Sequence, residues 1–170
     1  LLKQQAEETL MLKRIAFVAV LVGLAAPALP QSNPRGQAEA EVAGKSVSIE
    51  YGRPSLKGRD MLALAEVGKP WRMGADAATT LTTEADLTFG AVTVPKGTYI
   101  LTATKVDSNT WHLNVLSQAD RDKVADIPLK LARTDDETEM FTIDLRGESD
   151  GGQFKMVWGK TALTADFAAR

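Results

Sequence analysis

From Lys45 to Gly52 apolar and polar side chains alternate, with Val47, Ile49 and Tyr51 on one side and Ser46, Ser48 and Glu50 on the other. A period of two is that of a half-buried β-strand. It recurs in TWHLNVL (110–116), with Trp111, Leu113 and Val115 in phase, and in IPLKLAR (127–133), with Ile127, Leu129 and Leu131. EMFTIDLRG (139–147) places Phe141, Ile143 and Leu145 inward, and Thr142, Asp144 and Arg146 outward. GQFKMVWGKTALTADF (152–167) carries Phe154, Met156 and Trp158, then Leu163, Ala165 and Phe167. Between Thr79 and Val106 the chain reads as three β segments, separated by Gly90 and by Pro95-Lys96-Gly97. Pro128 marks its strand as an edge, because proline donates nothing to a ladder. About nine short strands with tight turns predict an all-β fold, an antiparallel β-sandwich of the jelly-roll kind. One or two short helices are expected: two turns over DMLALAEVG (60–68), capped by Asp60 and stopped by Gly68, and one turn in QADRDKV (118–124). No internal repeat is visible.

Gly52 to Ala78 breaks the pattern, since loops longer than about 12–15 residues are usually functional or disordered. Trp71 and the apolar residues around it argue for an ordered loop packed on the sandwich. The amino-terminal region has another character. Met11 opens a stretch with Lys13 and Arg14, an apolar run from Ile15 to Ala26, and Ala26-Pro27-Ala28 as a small-x-small cleavage signal. The run is shorter than the roughly 20 residues a spanning helix needs. The sequence thus predicts a signal peptide over 11–28, with 1–10 an upstream mis-annotation, 29–44 a linker and 45–170 the β-sandwich domain. The expected location is periplasmic or secreted, with no stable membrane insertion after cleavage. No cysteine is present, so neither a disulfide nor a lipidated cysteine is available.

A net charge of −2, with no basic stripe, gives no pointer to nucleic acid or an anionic membrane, and no nucleic-acid partner is expected. With no cysteine and the single histidine, His112, mid-strand, zinc, copper and haem have too few ligands, and no cofactor is expected. Ser55 lies outside any G-x-S-x-G motif, and Lys57, two residues on, faces away from it in an extended segment. RTDDETE (133–139) and GESDGG (147–152) lack calcium-loop spacing and read as solvated hairpin tips. Asp76 and Glu84 are carboxylate candidates by location alone.

The notable cluster lies in the long loop. Arg53, Lys57, Arg59 and Arg72 gather four cations in a net-negative chain, flanked by Tyr51 and Trp71. Arginine forks grip carboxylate, sulfate or phosphate, and aromatic faces stack on sugars. One reading is a pocket for a small anion, a glycan or an envelope component. Arg53 and Arg72 would orient the ligand, Asp76 and Thr79 would form a polar wall, and Gly58 and Gly74 would allow close backbone approach. The other reading is structural: Arg53 and Arg72 satisfy loop carbonyls or pair with Asp60, Glu66 or Asp76, Trp71 anchors the loop and Pro54 stiffens it. Two functions remain open, a non-enzymatic exported binding module and a hydrolase using carboxylates or Lys57 and Lys160.

YGRPSLKGR (51–59), WRMGADAAT (71–79), VPKGTYIL (94–101) and Trp158-Gly159-Lys160 together resemble the bacterial domain-of-unknown-function family 2911, over about residues 45 to 167. The resemblance implies an exported protein and supplies no chemistry. The chain departs from the family's pattern at Asp76, where asparagine is usual, and at Ala77. If that asparagine contacts a ligand in relatives, Asp76 turns a donor into an acceptor.

Overall fold

The structure, a computed structural model, describes residues 32–170. The expected upstream segment 1–10 and signal peptide 11–28 lie outside the described residues, as do the first positions of the expected linker. The described part is all-β and antiparallel. The strands are β1 (Arg35–Val42), β2 (Lys45–Gly52), β3 (Pro70–Trp71), β4 (Thr79–Thr83), β5 (Leu87–Phe89), β6 (Val92–Val94), β7 (Gly97–Lys105), β8 (Trp111–Ser117), β9 (Lys123–Gly147) and β10 (Gly151–Ala169). They form one ten-stranded sheet in the order β1-β2-β4-β7-β8-β9-β10-β5-β6, with β3 added to β7 off this path. Val47, Leu81, Leu101 and Leu113 meet Leu87, Leu145, Phe154 and Phe167 around one apolar interior.

Four features differ from the sequence expectation, each for a physical reason. Residues 35–42 are a strand rather than linker: β1 pairs with β2 through a two-residue turn, Ala43-Gly44, with both φ angles positive (52° and 70°). Gly36, Ala38, Ala40 and Val42 face inward along β1, so its alternation is carried mostly by small residues. No helix occurs among the described residues. Asp60 does cap a turn, its Oδ1 accepting the Ala63 N–H (3.0 Å), but one turn is all that forms. The Gly68 N–H reaches Lys105 O (2.8 Å) and Val67 bridges Lys105, so sheet pairing extends the chain where a short helix would be marginal. Nor is 133–139 a hairpin tip. It is the middle of β9, a 25-residue strand whose first part pairs with β8 and whose remainder pairs with β10. Finally, contrary to the expectation from Pro128, β9 is not an edge strand, since it lies between β8 and β10; the proline is tolerated because the ladder with β10 stops at Lys130 and only β8 is paired at its position.

The pairing of β9 with β10 passes through a bulge at Gly159, opposite Thr138. Gly159 has φ 62°, a conformation in which a Cβ crowds the following carbonyl. The extra residues lie on β9, where Thr142, Thr138 and Arg133 stand opposite Val157, Gly159 and Thr161, and the inward phase of β10 changes across Gly159. Phe154, Met156 and Trp158 face inward before it, and Thr161, Leu163, Ala165 and Phe167 after it. Gly159→Ala is expected to lower the urea-unfolding free energy by about 1–2 kcal/mol, whereas an equally stable variant would show that the bulge relaxes at no cost.

Candidate functional site

The stretch that leaves β2 lies along the middle of β9. Tyr51 is buried, and its hydroxyl donates to Ile143 O (3.1 Å) while accepting the Ile143 N–H (2.9 Å). Arg53 Nε donates to Phe141 O (3.2 Å) and its Nη2 to Thr142 Oγ1 (3.1 Å). The Phe141 N–H donates to Pro54 O (2.9 Å) and the Leu56 N–H to Glu139 O (3.0 Å), with Ser55 bridging Met140. Residues 51–56 therefore satisfy backbone groups of β9 between Glu139 and Ile143, and Glu139 O also accepts from Trp158 Nε1 (3.2 Å). Lys57 and Gly58 then take positive φ (50° and 73°), and the Arg59 N–H closes the turn on Leu56 O (3.1 Å). The Lys57 N–H is held by Glu139 Oε1 (3.0 Å), and both Lys57 and Arg59 carry their charges in solvent.

The second motif is seated by aromatic packing. Trp71 stacks on Trp158 (centroids 5.8 Å, 16°) and meets Phe141 and Trp111 edge-on. Behind it, buried Thr79 donates to Met73 O (2.5 Å). A Cβ on Gly52 would run into the carbonyl of Ala75, so this glycine is required for the loop to close. Exposed Arg72 donates to Asp76 O. Asp76 has φ 62°, where aspartate and asparagine are both tolerated, and its Oδ2 accepts from Asn33 N (2.8 Å) and Nδ2 (3.3 Å). Of the eight residues singled out in the sequence, Tyr51, Arg53, Trp71 and Thr79 have internal partners. Arg72 and Asp76 close a local surface loop, and Lys57 and Arg59 stand at the exposed turn. Asp60 and Glu66, expected as partners of Arg53 or Arg72, bond elsewhere: Asp60 caps its turn and Glu66 pairs with Lys69 (2.5 Å).

That turn forms one wall of a cleft of about 730 Å³. Gly58, Arg59 and Asp60 come from the loop, Arg133, Thr134 and Glu137 from the bulged centre of β9, and Lys160 from just beyond Gly159 on β10. Leu56 supplies an apolar floor beneath Gly159. Arg133 is oriented by Thr161, whose buried Oγ1 accepts from Nη1 (2.7 Å). Arg59 and Lys160 were visible in the sequence, but Arg133, Thr134 and Glu137 were not, because a charged run between strands resembles a solvated tip. The inward phase changes between Trp158 and Leu163 across a glycine, and that was the available signal for a bulge with special surroundings.

The other sequence candidates lie apart from this cleft. Glu84 accepts from Ser46 N (3.0 Å) in a shallow groove with Glu39 and Glu41, and Asp76 does not line that groove. His112 Nδ1 bonds Asp126 Oδ1, and Lys123 Nζ bonds its Oδ2 (2.6 Å). Among the described residues no group of three or more His, Cys, Asp or Glu is placed to hold a metal ion. Partial burial raises the Asp126 carboxyl, but the hydrogen bonds and charges of Lys123 and His112 outweigh it and hold its pKa below the ordinary carboxylate value.

Arg53→Ala is expected to cost about 2 kcal/mol in a urea melt, because it strips Phe141 O of a partner. Arg72→Ala should stay within about 0.5 kcal/mol of the parent; equal losses would contradict the difference in their surroundings. Because the Asp126 pKa is lowered on folding, its contribution is present at neutral pH and withdrawn as pH falls through the depressed value. Asp126→Asn should therefore flatten the acid side of the stability profile, and an unchanged profile would refute the assignment.

Residues 33–167 match a family described as Protein of unknown function (DUF2911). No curated protein matches the chain, and no solved structure does. The matched span takes in the β2 exit, the loop with Trp71 and the β9–β10 bulge, and the chain belongs to the DUF2911 family of proteins of unknown function.

Proposed function

We propose that this chain is a non-catalytic binding module of sandwich architecture, acting in the periplasm or outside the cell, whose cleft takes a small ligand through an anionic group. The observation that carries this reading is the convergence of Arg59, Arg133 and Lys160, from three separate chain segments, on one cleft of about 730 Å³. That size falls within the roughly 300–1,000 Å³ usual for small-molecule sites. Guanidinium groups suit carboxylate, sulfate or phosphate oxygens through paired N–H donors. The Thr161 contact holds Arg133 in place before a ligand arrives, which lowers the entropy lost on binding. The exposed Gly58 turn leaves backbone accessible at the rim, where a sugar or acyl portion could lie. Compared with the eight residues first singled out, the proposed site keeps Arg59 and places Lys57 beside it.

A hydrolase is the second reading, favoured by one observation. Asp60 and Glu137 bring two carboxylates to the same cleft from different walls, the residue types glycoside hydrolysis uses. Lys160 lines the cleft as well.

Calorimetric titration of the purified domain with sulfate, phosphate and a uronic acid at low salt tests the binding reading. At least one of these should bind, and Arg133→Ala and Lys160→Ala should each weaken it by about tenfold. Binding that survives both substitutions, or no binding at all, would overturn it. Turnover of a uronic-acid glycoside that is abolished by Glu137→Gln would establish the hydrolase instead.

A further inference from the structure

We infer that the ligand of this cleft is zwitterionic, with an ammonium and a carboxylate on one small molecule, as in an amino acid, a short peptide or an acidic amino sugar. The inference rests on the binding reading above and narrows its ligand class. The cleft gathers both signs of charge: Arg59, Arg133 and Lys160 against Asp60 and Glu137. Opposite charges brought to one exposed site ordinarily pair, as Lys69 does with Glu66 (2.5 Å), Lys123 with Asp126 (2.6 Å) and Lys130 with Asp166 (2.8 Å). Among the described residues, none of the five cleft charges takes part in an ion pair within 4.0 Å.

Two of the five are instead held by neutral partners. Arg133 is fixed by the hydroxyl of Thr161 (2.7 Å), and Asp60 by the backbone N–H of Ala63 (3.0 Å). Each keeps the rest of its hydrogen-bonding capacity free, since the guanidinium has further N–H donors and the carboxylate a second oxygen. Arg133 and Asp60 also line an adjoining recess of about 150 Å³ that reaches Lys105 and Ser108. They therefore stand together at the boundary of two spaces and still do not neutralise each other. A simple anion would satisfy the cations but leave Asp60 and Glu137 unpaired and repelling it. A ligand bearing both groups answers both sets, and the cations' excess of one suits a ligand with more carboxylate than ammonium.

The test is calorimetry at low salt with three groups of probes. Glycine, 4-aminobutyrate, 6-aminohexanoate and trialanine carry both charges at different separations, whereas hexanoate and hexylamine carry one each. The best zwitterion should bind at least about tenfold tighter than either single-charge probe. The double variant Asp60→Asn/Glu137→Gln should erase that advantage while hexanoate still binds, with its urea melt confirming that it folds. If hexanoate binds as well as every zwitterion, this inference falls and the anion site stands. If the double variant keeps the advantage, the inference also falls. If neither hexanoate nor any zwitterion binds, both readings fall.

Discussion

The phenolic hydroxyl of Tyr51 grips both the amide and the carbonyl of Ile143, 92 residues along the chain. Together with the packing of β1 against β9, that grip brings the start of the sheet onto its far strands. It sets the exit of β2 against the centre of β9, and Arg53, Pro54 and Leu56 continue the contact. It also brings the Tyr51 ring edge-on to Phe141 (5.6 Å, 88°), and Phe141 in turn packs against Trp71 and Trp158. A buried hydroxyl with both its donor and acceptor roles filled stabilises the closure, and a phenylalanine there would leave two backbone groups without partners.

The YGRPSLKGR motif thus divides between two tasks. Residues 51–56 act inward, where a long loop crossing a sheet must satisfy carbonyls that lack ladder partners. The Lys57-Gly58 turn then swings residues 57–60 outward to wall a cleft. The Arg53 cation serves the fold, while the Arg59 cation is left for solvent or ligand. One short run of sequence holds two arginines with different physical roles because a single turn separates them.

Strands with large alternating side chains were legible from their periodicity alone. β2 has the expected ends, and Trp111, Leu113 and Val115 are buried along β8. β1 was not legible, because glycine and alanine on its inner face give no hydrophobic signal and Ala43-Gly44 is not a usual hairpin dipeptide. The continuity of β9 was hidden by the charges of 133–139, which are polar because that segment borders an open cleft. The site was readable only in part for the same reason. Arg59 and Lys160 belong to recognisable motifs, but Arg133 and Glu137 become cleft residues only once β9 is known to pass there. Pairings between distant segments cannot be read from local periodicity, and they decide which charges face one another.

The closure through Tyr51 also has a kinetic consequence. β9 and β10 are joined by a short turn at 148–150 and can pair early, since closing a small loop has a low entropic cost. The contact with residues 51–56 spans the rest of the domain and must form later. Until it does, the backbone groups of Phe141 and Ile143 that face away from β10 lack the partners they will have in the finished fold, in a segment (MFTIDL) suited to cross-strand stacking between chains. Glu137 and Glu139 on one side and Asp144 within it place negative charge along that transient edge. These acidic side chains would repel another copy of the same segment, so Glu137, which borders the cleft in the folded domain, also helps guard the unfinished one against self-association.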